Sequence, residues 1–250
     1  MRAQADGPLW VRVGGGLEEV GSGRRHGPAD PDFPPPPGGP WEELRHNGRL
    51  VGWAPPGTPS RGAARRAVEE GVRLTHERRA YLVRRLGHKV RSSALALQES
   101  ARQAAFGRQQ LFEEIHDQAQ DLGRRAFALE AVALDPVDPP RAVVIGAVLN
   151  LAAPGAERTL PQDAVVRAPE SVLVEALTRA YEWMGGPGSV IRGELVGKWW
   201  RLEFEASPER RPLAIPELGE PLIRYIVDTH LEGWLDTSVP NRADVYLPAV

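Results

Sequence analysis

The sequence predicts an α+β protein with a long helical hairpin, an α/β sandwich after the hairpin and a small β cap before it. Apolar residues recur about every seven positions along two proline-free stretches, which is typical of helices that pack lengthwise on other helices. Beyond Pro140, short helical and strand-like pieces alternate. That order is typical of helices on one face of a mostly antiparallel sheet.

Length and composition narrow the possibilities. A chain of 250 residues is long enough for one large domain or two to three small ones, and its formal charge of −2 gives no global case for nucleic acid binding. The absence of cysteine excludes disulfides, thiolate metal sites and cysteine nucleophiles. There is neither an apolar run of roughly 18 residues nor a signal-peptide pattern, so we expect a cytoplasmic protein.

Residues 1–60 predict a small β segment. Leu9–Val13 and Arg49–Trp53 are strand-like, and the Pro/Gly-rich stretch Gly27–Pro40 between them predicts an extended loop. Asn47-Gly48 is a hairpin signal directly before the second strand. We expect a small sheet that leans on the following helix. The hairpin that leads into a long helix resembles the final hairpin of a GAF sensor domain, and a loose N-terminal cap is the alternative.

Residues 61–136 predict the helical hairpin. One helix spans about Gly62 to Gly107, and a second ends at Asp135-Pro136. The apolar stripes comprise Val68, Val72, Val83, Leu86, Val90, Leu97, Ala101 and Ala104 on the first helix, and Leu111, Ile115, Ala119, Leu122, Ala126, Leu129 and Ala133 on the second. A lone hairpin would leave half of each stripe in water. The pattern therefore predicts a homodimer with a four-helix bundle.

His88 lies outside the stripe of the first helix. It follows Leu86 by about 200° of helical rotation, so its imidazole should face away from the seam. Its neighbours one turn away include Arg84, Arg85 and Arg91. An exposed histidine among guanidinium groups suits a site that meets phosphate or acidic partners. The alternative is a solvated basic face that carries an incidental histidine.

Residues 137–250 predict the sandwich. The tandem Trp199-Trp200 should place one indole in the core and one outward, where it could form a contact surface. In order, we expect a helix over Arg141–Leu151, an irregular segment to Arg167, a helix from Pro169 to Met184, strands at Ser189–Leu195 and Trp199–Glu205, a linker from Ser207 to Glu217, a helix over Glu220–Leu231, and strands at Gly233–Ser238 and Ala243–Leu247.

Four segments carry a family resemblance over Val72–Val250. Leu86–Ser93 is similar to a Ser-His-Glu-Leu-Arg-Thr-Pro box, with matches at His88, Val90 and Arg91. The other three segments are Ala168–Thr178, Pro221–His230 and Arg242–Pro248 with its Leu-Pro. In this order they resemble a bacterial sensor histidine kinase, in which a dimeric hairpin carries the phosphoacceptor histidine and an ATP-binding sandwich follows.

The resemblance implies roles for the basic stretch. It makes His88 the candidate phosphoacceptor, and it implies that Arg84, Arg85, Lys89 and Arg91 stabilise transferred charge or dock a partner. The implied partner is a response-regulator receiver domain. The family has an acidic residue directly after the histidine as general base, but this chain has Lys89, and an ammonium group cannot accept the imidazole proton.

The sandwich departs from the family at three nucleotide positions. Trp183 stands near the asparagine that would help to hold Mg²⁺, which needs oxygen ligands. Glu205 stands near the adenine-binding aspartate, without the glycines that should follow. Glu220, after a single glycine, replaces a glycine-rich phosphate loop. We therefore expect no ATP or Mg²⁺ binding, no other metal and no autokinase activity.

These features predict a catalytically degenerate relative of histidine kinases that acts as a phosphotransfer or scaffold protein towards a receiver domain. Two alternatives remain. One is a regulatory module that binds protein or DNA through Arg84, Arg85 and Arg91, with His88 incidental. The other is an atypical active histidine kinase.

Overall fold

A computed structural model of the chain describes residues 8–28, 30, 35–105, 112–133, 136, 138–210 and 216–250. Some predictions lie outside these residues: the helix break near Gly107, the apolar position Leu111, the Asp135 stop signal and Pro34 of the proline run. Residues 211–215 of the predicted linker from Ser207 to Glu217 also lie outside them.

The N-terminal segment forms an antiparallel sheet. Its strands are β1 (Trp10–Val13), β2 (Gly16–Glu19), β3 (Arg25–Pro28), β4 (Glu42–His46) and β5 (Arg49–Ala54), in the order β3-β2-β1-β5-β4. The sequence predicted β1, β5 and the Asn47-Gly48 turn between β4 and β5, where Asn47 has a φ of 50°. It missed β2 and β3, which are rich in glycine and charge.

The sheet packs on the start of the long helix α1 (Ser60–Ala105). Val11 and Val13 lie against Ala63, Ala64 and Ala67, whose small side chains allow the strands to approach closely. The opposite face of the sheet holds a second apolar cluster of Trp10, Leu17, Leu50 and Trp53, with Trp41 packed against it. The prediction of a small sheet that leans on the helix is confirmed.

Helix α1 and α2 (Phe112–Ala133) form the predicted antiparallel pair. Arg79 on α1 donates from Nε to the backbone oxygen of Val132 at 3.1 Å and from Nη2 to that of Ala133. These bonds satisfy carbonyl groups at the end of α2 that have no partner within the helix. Towards the other end, Arg125 on α2 donates to the hydroxyl of Ser93 and pairs with Asp121.

The apolar stripes are only partly covered in a single chain. Leu86 is fully buried, but Val90 and Leu97 are half-buried, and Ala101 and Ala126 are exposed. Hydrophobic burial is therefore incomplete along the hairpin.

The sandwich follows. Its elements are β6 (Arg141–Val144), α3 (Ile145–Ala152), β7 (Glu157–Thr159), β8 (Val165–Ala168), α4 (Glu170–Trp183), β9 (Val190–Val196), β10 (Trp199–Glu205), α5 (Glu220–His230), β11 (Trp234–Asp236) and β12 (Arg242–Pro248). The main sheet has the order β11-β12-β10-β9-β7, in which only the β7–β9 pair is parallel, and β6 pairs with β8 in a second small sheet.

Two secondary-structure predictions in this part are wrong. The segment Arg141–Leu151 is not helical throughout, because its first four residues form β6 and the helix begins at Ile145. The segment before Arg167 is not irregular, because it contains β7 and most of β8. These strands have three or four residues, and pairing with distant segments fixes them rather than a local pattern.

The core of the sandwich lies between its helices and one face of the sheet. Alternate residues such as Leu202, Phe204 and Val245 face α4 and α5. Leu86 of α1 and Val132 of α2 belong to the same apolar cluster, so the sandwich is seated on the hairpin through hydrophobic contacts.

Both indoles of the tandem tryptophan are buried. Trp200 faces the core side and donates to the backbone oxygen of Val165 at 3.1 Å. Trp199 faces outward, but Asp30 of the N-terminal segment covers it and accepts its indole N–H at 3.1 Å, while Lys198 pairs with the same carboxylate at 3.0 Å. The prediction of an outward contact surface at this strand is therefore wrong.

Candidate functional site

His88 lies on the solvent-facing side of α1. Its side chain is exposed, whereas Leu86, two residues earlier, has no exposed surface. The hydroxyl of Ser92 donates to the backbone oxygen of His88 at 3.0 Å, a bond within the helix that leaves the ring uninvolved. Among the described residues, the imidazole has no hydrogen-bond partner. Both ring nitrogens are therefore accessible to an incoming group.

The surroundings of His88 are basic. Between Glu77 and Glu99 the chain has no acidic residue and six arginines and lysines. Arg84, Arg85 and Arg91 are exposed, and within the described part of the chain Arg84 and Arg91 form no ion pair. By contrast, Arg73 on the same helix pairs with Glu70 at 2.7 Å and with Glu77 at 2.5 Å. Arg73 is thus paired with acidic residues of its own helix, whereas Arg84 and Arg91 on either side of His88 form no described ion pair.

Lys89 is half-buried on the side of α1 that turns towards α2, where its backbone oxygen accepts a long bond of 3.4 Å from Arg125. The two other histidines of the hairpin, His76 and His116, are also exposed. A ring nitrogen of His116 lies 2.8 Å from the Gln120 amide nitrogen. Neither lies in the acid-free stretch of α1 around His88.

A cavity of about 690 Å³ lies where the resemblance places a nucleotide. Trp183 from the end of α4 lines it, and the Arg210 guanidinium lies 5.3 Å from the centroid of the Trp183 ring. Glu220, at the start of α5, also lines the cavity and is held by Arg224 and by the Thr237 hydroxyl at 3.3 Å. Sequence reasoning missed Arg210 and Asn241, which complete the polar lining.

Glu205 lies apart from this cavity. It ends β10 on the open face of the sheet, where it is exposed and pairs with Arg192 of β9 at 2.7 Å. Trp183 and Glu220 are therefore brought together, whereas Glu205 belongs to a ladder of charges across the opposite face. The alternation of side chains along a strand explains the difference, since Phe204 takes the inward position beside it.

Comparison with solved structures agrees with this arrangement. The structure of the histidine kinase ThkA in complex with the response regulator TrrA matches with a TM-score of 0.50 at 14% identity, over 97% of this chain and 79% of that one. The chain has a histidine kinase fold. Two further matches are the histidine kinase AdeS of Acinetobacter baumannii (TM-score 0.49, 17% identity, 64% of this chain and 97% of that one) and the ATP-binding domain of PrrB from Mycobacterium tuberculosis (TM-score 0.34, 16% identity, 45% and 99%). No protein-family model and no curated protein sequence matches the chain.

The histidine kinase fold contains here a buried ion cluster that sequence reasoning missed. Arg179 of α4 has 5% of its surface exposed and bonds Glu175 at 2.7 Å and Glu182 at 2.9 Å. It also reaches the backbone oxygen of Arg124 on α2 at 3.5 Å. Burial raises the pKa of the Glu175 carboxyl, although Arg179 lowers it. The spacing of four residues between Glu175 and Arg179 was a signal in the sequence.

A second cavity, of about 870 Å³, lies between α2 and the start of α4, with Phe127, Val172, Val174 and Ile226 in its wall. Within the described residues, no group of three or more potential ligands could hold a metal ion. No helix in the described part of this histidine kinase fold is long and apolar enough to cross a bilayer.

Proposed function

We propose that this chain is a catalytically degenerate histidine kinase-like protein of two-component signalling. It acts as a phosphotransfer or scaffold protein towards the receiver domain of a response regulator. One observation carries the proposal: His88 is exposed and without a described hydrogen-bond partner, in a helical stretch that has no acidic residue. An accessible imidazole beside Arg84 and Arg91, which form no described ion pair, is suited to accept a phosphoryl group.

The proposed step is transfer from a receiver aspartyl phosphate. An imidazole nitrogen of His88 attacks phosphorus, the bond from phosphorus to the carboxylate oxygen breaks, and the carboxylate leaves on the receiver. The other ring nitrogen loses its proton to solvent. Arg84 and Arg91, one turn before and one turn after His88, stabilise the charge on the phosphoryl oxygens. The response regulator bound to ThkA in its solved complex supports this kind of partner.

The decisive experiment supplies the chain with a panel of receiver domains that carry labelled phosphate on aspartate. We expect label to move to the chain in an acid-labile, alkali-stable form, as phosphohistidine requires. If no receiver transfers label, the phosphotransfer form of the proposal fails. Stable co-elution with one receiver would then leave the scaffold form, and its absence would reject both.

We propose that the cavity at the nucleotide position does not bind ATP with Mg²⁺. Trp183 offers no oxygen ligand, and the Glu220 carboxylate would repel phosphate. Calorimetric titration with ATP and Mg²⁺ should show no saturable binding up to about millimolar concentration, where a Kd corresponds to only about −4 kcal/mol. Saturable binding at micromolar concentration would instead favour the atypical active kinase.

We propose that the half-covered stripe of the hairpin is completed by a second copy of the chain. Ala94 and Ala101 are exposed and lie one heptad apart, on the side of α1 next to half-buried Val90 and Leu97. Ala94→Glu combined with Ala101→Glu should convert a dimer into a monomer in light scattering, because it places charges in the seam at little cost to the single chain. Ser92→Glu, on a different face, should remain dimeric. A wild-type monomer at high concentration would contradict the dimer.

The acid-free stretch also favours a second candidate, a module that binds DNA through Arg84, Arg85 and Arg91. That function requires an affinity for DNA that falls steeply with salt concentration. The affinity should be lost when these arginines are replaced, and it should be retained when Arg65, which is paired with Glu69, is replaced.

A further inference from the structure

The N-terminal sheet contacts the sandwich as well as α1. The turn between β1 and β2 consists of Gly14 and Gly15, and β2 begins with Gly16. Each lies close to the end of α5 or the start of β11. A Cβ atom at Gly14 would collide with backbone atoms of Asp228, and one at Gly15 with backbone atoms near Gly233. A Cβ atom at Gly16 would collide with the Trp234 ring. Three consecutive glycines thus allow the sheet to dock against the sandwich.

A buried ion cluster lies at this contact. Asp228 of α5 has 2% of its surface exposed, and it accepts from Arg25 of β3 at 2.5 Å and from Arg78 of α1 at 3.3 Å. Arg78 also bonds Glu18 of β2. The Arg25 guanidinium stacks over the Trp234 ring at 4.1 Å. The cluster therefore joins the sheet, the long helix and the sandwich at one point.

Several polar atoms of this contact are not satisfied. Nε and Nη1 of Arg25 and Oδ1 of Asp228 are buried without a hydrogen-bond partner among the described residues. Burial raises the pKa of Asp228 to about 6, although both arginines lower it, so the closed contact disfavours the charged carboxylate. Water would satisfy all three atoms if the contact opened.

The other two junctions are mainly apolar, apart from the Arg78–Glu18 pair between α1 and the sheet and bonds such as that from the Tyr225 hydroxyl to the Val132 backbone oxygen. The sheet holds α1 through Val11, Val13 and three alanines, and the sandwich holds the hairpin through residues such as Leu86 and Val132. Opening either junction would expose mainly hydrocarbon to water. Opening the contact between the sheet and α5 would expose the Trp234 ring, but it would also hydrate charges that closure leaves partly unsatisfied. The junction between the N-terminal segment and the sandwich is therefore the one richest in ion pairs, since it also includes Arg49–Glu232 and the bonds of Asp30 to Lys198 and Trp199.

We propose that the contact between the N-terminal sheet and α5 is a releasable latch that fixes the orientation of the sandwich on the hairpin. When the latch opens, the sheet stays on α1 and the sandwich rocks on its apolar seat. Any input that displaces the sheet from α5 is thereby transmitted to the sandwich. This device is independent of the chemistry of His88.

The absence of cysteine makes the test direct. Spin labels at Glu43→Cys on β4 and Leu195→Cys on β9 report the distance between sheet and sandwich. A second pair, Glu43→Cys with Arg65→Cys, reports the distance between sheet and α1. In the wild-type background we expect one narrow distribution for each pair.

Two variants should release the latch by different means. Arg25→Met removes a charge partner of Asp228, and Gly16→Ala adds one methyl group against Trp234 while it leaves every charge in place. Arg25→Met should shift the ratio of open to closed molecules about 100-fold, as expected when a buried pair loses one partner, and Gly16→Ala should shift it in the same direction. Each should broaden only the sheet–sandwich distribution. The matched controls are Arg24→Met, whose guanidinium pairs with Glu19 inside the sheet, and Gly62→Ala, which has open space around it.

The two outcomes are distinguishable. Broadening of the sheet–sandwich pair in both release variants, with narrow distributions in both controls, supports the latch. A broad distribution in the wild-type background, a narrow one in Gly16→Ala, or equal broadening of the sheet–α1 pair overturns it. Because Gly16→Ala preserves the ion cluster, the test survives if Arg25→Met does not fold.

Discussion

Replacing His88 with glutamine is expected to lower phosphoryl transfer from a receiver domain to the chain by at least about 100-fold, as loss of a nucleophile does in enzymes that depend on one. Glutamine retains a polar side chain on the exposed face of α1 but lacks the nucleophilic ring nitrogen. The measurement is the initial rate at which labelled phosphate appears on the chain.

His76→Gln and His116→Gln are the matched controls for this substitution. Both histidines are exposed on the same hairpin, and both variants should accept label at the wild-type rate. Arg84→Met and Arg91→Met should each slow transfer about tenfold, because each removes one cation near the transferred charge. Label that persists in the His88→Gln protein would show that another residue is the acceptor.

Replacing Arg179 with methionine is expected to lower the free energy of unfolding by about 3–5 kcal/mol, because Glu175 would remain buried without its partner. Denaturation in urea measures the change. Arg124→Met is the control on the neighbouring helix, since its guanidinium is exposed and lies 3.9 Å from Asp121. That variant should lose less than about 1 kcal/mol.

The loss of unfolding free energy in Arg179→Met should depend on pH in a defined direction. Burial already raises the pKa of Glu175 above its ordinary value of 4.5, and removal of Arg179 raises it further. A native state with a raised carboxyl pKa binds protons more tightly than the unfolded chain, so its stability falls as pH rises through that window. The deficit should be smaller near pH 4.5 than near pH 7.5, and Glu175→Gln in the same background should remove the pH dependence. A deficit that is constant with pH would contradict the buried-charge explanation.

The elements that the sequence predicted correctly are those with strong local signals. A seven-residue repeat without proline predicted α1 and α2, and the strand-like runs Ser189–Leu195 and Trp199–Glu205 predicted β9 and β10. The short strands β6, β7 and β8 were missed because distant partners fix them. Their residues carry no distinctive local pattern.

The residues of the candidate site were likewise predictable only where a local pattern defines their position. Helical rotation from Leu86 was enough to predict the exposure of His88, because both lie on one regular element. The cluster around Asp228 was not predictable, since Arg25 lies 203 positions away and Arg78 lies 150 positions away. The order of motifs alone predicted that Glu205 lies near the nucleotide position. In the structure, side chains alternate between the two faces of β10, and Glu205 lies on the other face.

The contacts of Asp30 with Trp199 and of Arg25 with Asp228 bear on whether the N-terminal segment can be exchanged for another. Signalling chains are commonly pictured as interchangeable modules joined end to end, with any input segment able to precede a given hairpin. Here α5 and β10 present surfaces shaped and charged for this particular sheet. Exchanging residues 1–60 for an unrelated input segment would strand a buried carboxylate and uncover an indole, so the N-terminal sheet and the sandwich depend on each other's surfaces.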